Sequence, residues 1–193
     1  MRQRIKLFLI LSSMISVFLI FAMTPIAWAA GPANVYKVTL TKFELFNGTS
    51  WVTILDGSST TIDIASASAG QAAGSFISGV TIPNGTYTRC RVTPSATFTI
   101  KGNDGAGNFT TATIGPGGGC TPTTTAALEA ACTASVPGGV TADTTTFAGP
   151  ISMTNGVASH KVRVSFDVST AIQTVSGEMF PAAPTVTVTV IAL

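Results

Sequence analysis

Alternation of apolar with hydroxyl or charged side chains restricts this chain more than any other feature. In "HKVRVSFDVS", residues 160–169, Val162, Val164, Phe166 and Val168 fall on one side, and Lys161, Arg163, Ser165, Asp167 and Ser169 on the other. "TVTVTVIAL" at 185–193 repeats the pattern, with Val186, Val188 and Val190 set against Thr185, Thr187 and Thr189. A period of two fits a strand with one buried and one wet side, and it cannot hold an apolar stripe on a helix. Further strands are predicted at 60–65, 76–82, 86–93, 96–101 and 108–114, giving eight to ten short strands. Turn residues punctuate them, the pattern of a single antiparallel β-sandwich, Ig-like or transthyretin-like.

Two Asn-Gly dipeptides set registers. In "KFELFNGTSWVTIL", residues 42–55, a two-residue turn at Asn47-Gly48 pairs Phe46 with Thr49, Leu45 with Ser50 and Phe43 with Val52. Phe43, Leu45, Val52 and Ile54 then share the core face, and Trp51 points away from it, across from Glu44. Tyr36, Val38 and Leu40 have the opposite phase, so a bulge or bend is predicted near Thr41-Lys42. A turn at Asn155-Gly156 pairs Met153 with Ala158 and Ile151 with His160, on the face of Val162, Val164 and Phe166.

The N-terminus carries an address. Arg2, Arg4 and Lys6 precede an apolar run from Leu7 to Met23, then Pro25 and Ala27-Trp28-Ala29. Small residues at −3 and −1 predict a signal peptide, residues 1–29, cleaved after Ala29. Kept uncleaved, the run would serve as an anchor. Cleavage leaves seven basic and eight acidic residues, a net charge of about −1, and one domain over 30–193. With 9% charged residues the chain has no electrostatic footprint for nucleic acid. After cleavage no membrane segment is expected.

Export permits a disulfide. Cys120 and Cys132 bracket a Thr/Ala-rich stretch and form the favoured pair. Cys90, in "TRCRV", shares a face with Val92 and reads as a buried thiol. The Gly-, Thr- and Pro-rich segment 115–150 is expected to be a loop insertion stapled by that pair, with a helical turn in "TAALEAA".

Several pieces in order, "YKVTLTKFELFNGTSWVTI", "TIDIASA", "IPNGTYTRCRV", "VSFDVSTAI" and "PTVTVTVI", resemble a family of secreted bacterial β-sandwich domains of transthyretin-like, or prealbumin-like, arrangement and unassigned function. The resemblance implies a fold and an exported address, and it carries no catalytic residues. It also implies an apolar environment at the position of Cys90, and it makes 115–150 an insertion.

Chemistry is sparse. A nucleophilic triad would need His160, the sole histidine, and no G-x-S-x-G elbow is present. The acids Glu44, Asp56, Asp63, Asp104, Glu129, Asp143, Asp167 and Glu178 are scattered singly, so paired-carboxylate hydrolysis is not indicated. "GNDGAGN" at 102–108 offers too few oxygens for a calcium loop, and "GPGGG" at 115–119 lacks the Lys and helix of a phosphate cradle. Without CxxC spacing no zinc site is expected, nor any cofactor. Trp51 is the candidate ligand-stacking residue, with 115–150 or a neighbouring strand as the alternative that covers it. Arg89 and Arg91, with Tyr87, read as a basic stripe or as ordinary sheet positions. These features predict an exported, non-enzymatic protein with a structural or interaction role in the periplasm, at the cell surface or outside the cell. Its expected partners are other copies of itself or an envelope protein. The alternative is a carbohydrate- or small-ligand-binding module, with a glycan as partner.

Overall fold

The computed structural model describes residues 29–66, 81–136, 140 and 143–192. Residues 1–28 of the expected signal peptide and most of the strand expected at 76–82 lie outside them. The described chain is all-β. In order, its strands are β1 (Ala30–Gly31), β2 (Ala33–Val38), β3 (Leu40–Phe46), β4 (Trp51–Asp56), β5 (Ile62–Asp63), β6 (Gly85–Pro94), β7 (Thr97–Gly102) and β8 (Phe109–Ile114). There follow β9 (Cys120–Thr123), β10 (Cys132–Ser135), β11 (Asp143–Thr154), β12 (Val157–Ala158), β13 (His160–Asp167), β14 (Ile172–Val175), β15 (Glu178–Pro181) and β16 (Thr185–Ala192). Among the described residues the only helical element is a 3₁₀ turn at Ala126–Leu128.

Four antiparallel sheets result: β1-β14-β15-β9-β8, β10-β7-β2-β5, β12-β11-β6-β3-β4 and the pair β13-β16. The second and third are two halves of one bent surface. β2 runs into β3 through Thr39, and β6 into β7 through Ser95-Ala96. Their pairing keeps nearly constant register from Tyr36↔Ile100 through Leu40↔Pro94 to Phe46↔Arg89. At the bend the Ser95 amide donates to the Thr39 carbonyl (2.7 Å).

The phase slip expected near Thr41 is a register shift between Leu40 and Lys42. It lets Leu40 and Leu45, at odd spacing, both point inward. The core divides along the same bend. One cluster joins Tyr36, Val38, Phe98, Ile100 and Ala134 of the β10-β7-β2-β5 sheet to Ile172 and Met179 of the β14-β15 hairpin. The other gathers Leu45, Tyr87, Ile151 and Met153, with Val188 and Val190 of β16 packed against them.

Several expectations are corrected. The β3-β4 connection is a four-residue loop, with Phe46↔Trp51 and Leu45↔Val52. The Asn47 side-chain oxygen accepts from the Thr49 and Ser50 amides (3.0 and 2.8 Å) and stabilises that wider turn. The shift is two residues, so the inward set Phe43, Leu45, Val52 and Ile54 is unchanged. Asn155-Gly156 does form a two-residue turn, both residues at positive φ (51° and 78°), with Met153↔Ala158. Beyond it the chain leaves the sheet: Ser159 interrupts, and His160 pairs with Ala192 rather than Ile151. The described residues of 115–150 are mostly strand rather than one loop, supplying β9, β10 and most of β11. The Glu178 carboxylate holds its glycine-rich start by accepting from the Gly117 and Gly119 amides (2.8 and 2.7 Å).

Candidate functional site

Among the described residues, the outer face of the β11-β6-β3-β4 sheet carries the one group of aromatic and charged side chains that converge. Alternation along β3 turns Lys42, Glu44 and Phe46 outward while Phe43 and Leu45 go to the core. Register then brings Trp51 beside Phe46 on one flank and Arg89 beside it on the other, with Arg91 next to Glu44. The Phe46 and Trp51 rings are tilted at 52° with centroids 5.2 Å apart. The Arg89 guanidinium lies 4.1 Å from the Phe46 centroid and 5.8 Å from that of Trp51. Arg91 lies 4.4 Å over Trp51. Each such cation–π contact contributes roughly 0.5–1 kcal/mol at a partly exposed site.

Glu44 anchors the group. It is only 4% exposed. It accepts from Arg91 Nε at 2.7 Å and sits 3.0 Å from Lys42 Nζ. The Arg91 hydrogen bond holds its carboxyl below the ordinary value, against burial, which pushes it up; Lys42 adds to the lowering. Three cations face one carboxylate, so the patch is positive. Arg91 is committed to Glu44. Arg89 makes no ion pair with a described residue, so the edge of its guanidinium keeps its donors for a carboxylate, sulfate or phosphate group.

Trp51 thus faces away from the core as the register predicts, and Arg89 and Arg91 of the neighbouring strand β6 lie over it. Tyr87 does not join the stripe. It is buried in the core cluster and donates its hydroxyl to the Pro83 carbonyl (2.9 Å). The phase of β6 changes between Tyr87 and Arg89, where the β11 register also shifts between Thr146 and Ile151. Cys90 sits half-buried opposite Leu45 and packs beside the same core cluster.

A disulfide joins Cys120 to Cys132, both buried in the core of the other half. His160 stands at the start of β13, its Nδ1 2.8 Å from Ser159 Oγ, which also accepts from the Ser152 amide. Among the described residues no carboxylate hydrogen-bonds to this histidine. Several acids instead brace backbone or side-chain donors. Asp63 accepts from the Tyr36 and Ala65 amides, Asp167 from that of Ser169, and Glu129 from the Asn34 side chain. Asp104, 1% exposed, accepts from the Ala106 and Asn108 amides, the Asn108 side chain and the Thr174 hydroxyl. Both carboxylate oxygens of the 102–108 loop's one acid are therefore occupied by the turn and by Thr174. Among the described residues, no three His, Cys, Asp or Glu side chains are grouped to hold a metal ion. No described helix is long and apolar enough to cross a membrane.

The chain matches no protein-family model, no curated protein and no solved structure.

Proposed function

We propose that this is an exported, non-enzymatic β-sandwich protein of transthyretin-like arrangement, with a structural or interaction role in the cell envelope or outside the cell. The observation that carries the reading is the β13-β16 ribbon. Val162, Val164 and Val186 are 42%, 45% and 39% exposed on it, a row of apolar side chains on strands that, among the described residues, pair only with each other. A two-stranded ribbon is marginal alone, and one that keeps valines in water is suited to engaging another surface. The layered packing of the two core clusters supports the sandwich. The Cys120–Cys132 disulfide fits an oxidising compartment.

The test is fractionation of bacterial cells making the full chain, with N-terminal sequencing and cross-linking. The expected product lies outside the cytoplasm and begins at Ala30. Its cross-linked species disappear on Val162→Ser/Val164→Ser without a change in circular dichroism. Unprocessed chain in the cytoplasm, or cross-linking indifferent to the ribbon, overturns the proposal.

Arg89 favours a second reading, a carbohydrate- or small-ligand-binding module. A guanidinium stacked on Phe46 with no ion pair to a described residue, beside a half-exposed Trp51, fits an acidic sugar better than a neutral one, because Arg91 already occupies one face of the indole. Uronic-acid oligosaccharides should then change Trp51 fluorescence where neutral ones do not, and Arg89→Ala should abolish the response. Equal responses to both sugars, or none, reject it.

A further inference from the structure

We infer that β13 is a self-pairing edge, through which two copies of this chain join antiparallel about Val164. The inference rests on the interaction reading above and names its partner.

Every residue from Lys161 to Ser165 is exposed, on both faces of the strand, and Asp167 is exposed as well. One edge of β13 pairs with β16 along all eight residues, and no described strand pairs with the other. An exposed edge of that length is a template for strand addition. Charges on the strand decide what it accepts. Lys161 and Arg163 discourage indiscriminate pairing, because an incoming apolar strand would cover them without compensation.

A second copy of β13 supplies the complement. With Val164 opposite Val164, antiparallel geometry sets Lys161 opposite Asp167 at both ends, Val162 opposite Phe166 twice, and Arg163 opposite Ser165. Each residue from 161 to 167 then has a partner. The known β13-β16 register extends those rows across four strands. The Val188-Val164 row continues into Val164 and Val188 of the second copy, and the Val190-Val162 row into its Phe166 and Val186. The exposed valines thereby become interior members of a four-stranded sheet. Neighbouring registers fit less well. Centring on Arg163 opposes two arginines. Centring on Ser165 pairs Arg163 with Asp167 but leaves Lys161 facing Ser169, beyond the end of the strand.

The arrangement is isologous, so it closes at two copies. Sedimentation of the protein as the exporting host processes it tests this, with Lys161→Asp, Asp167→Lys and the two combined. The expected wild type is a concentration-dependent dimer. Each single change sets like charges opposite one another at both ends and weakens dimerisation by roughly tenfold or more, and the combination restores it. Circular dichroism should be the same for all four proteins. A monomer at every concentration overturns the pairing, as does a dimer indifferent to the single changes, an open-ended polymer, or a combined variant as weak as the singles. Finding such a monomer outside the cytoplasm would reject the pairing while leaving the exported address intact.

Discussion

Arg91 reaches across from β6 to donate its Nε hydrogen to Glu44 at 2.7 Å, and the same guanidinium covers Trp51 at 4.4 Å. A single side chain therefore neutralises a buried carboxylate and shields an outward indole. Arg91→Ala leaves Glu44 with Lys42 alone, and an undercompensated buried acid is costly. The expected result is a melting temperature lower by about 3–8 °C. Glu44→Ala combined with Arg91→Ala should be milder than the two single effects added, because the stranded charge is gone. Thermal melts of the three variants check this by a double-mutant cycle.

Asp104 predicts a pH dependence. Burial pushes its carboxyl up, but hydrogen bonds from the Asn108 side chain, the Thr174 hydroxyl and the Ala106 and Asn108 amides outweigh burial and hold it below its ordinary 3.8. Glu44 is likewise held below 4.5. A group depressed in the folded state contributes its full stability above the unfolded value and loses it as pH falls through the folded one. Stability should therefore fall below about pH 4. Asp104→Asn should cost roughly 2 kcal/mol at neutral pH and flatten the acid limb. Denaturant titrations at neutral and acid pH measure both effects, and an unchanged acid limb would count against Asp104.

The Cys120–Cys132 link closes a loop of sequence separation 12. Constraint of the unfolded chain by a loop of that size contributes about 3 kcal/mol. Cys120→Ala/Cys132→Ala should lose that much, plus some packing, since both residues belong to the core. Unfolding of the double variant should be insensitive to reductant, whereas the parent should show a lower midpoint when reduced.

The same local signal produced different outcomes at different places, which shows where sequence reading stops. Asn155-Gly156 adopts the tight turn its dipeptide favours, and its pairing follows. Asn47-Gly48 does not, because the Asn47 side chain captures two amides and widens the loop. The faces were nonetheless legible, since a slip of two preserves them. The β14-β15 hairpin is absent from the expectations although Ser176-Gly177 makes a turn with both residues at positive φ; serine in place of asparagine weakens the local cue. Segment 115–150 was illegible as strands because its glycine-rich start is held by a distant group, the Glu178 carboxylate, and its strands pair with distant partners, β10 with β7 and β11 with β6. At the outer site, the orientation of Trp51 was readable. The phase change in β6 that separates Tyr87 from Arg89 was not, since it arises with the irregularity in its partner β11.

Gly102 and Gly48 separate close packing from backbone strain. Both have positive φ, 155° and 94°. A Cβ at Gly102 would stand 2.2 Å from the Pro32 carbonyl oxygen and 2.8 Å from Ile172 Cδ1, where β7 crosses the start of β2. A Cβ at Gly48 would meet nothing within 4 Å. Gly48→Ala should therefore cost only the conformational penalty, about 1 kcal/mol. Gly102→Ala must also displace backbone, and should cost roughly 2–4 kcal/mol. Denaturant midpoints of the two variants decide it. Equal losses would mean that the contact between Gly102 and Pro32 is not tight, and that the join between β2, β7 and the β14-β15 hairpin is looser than these distances require.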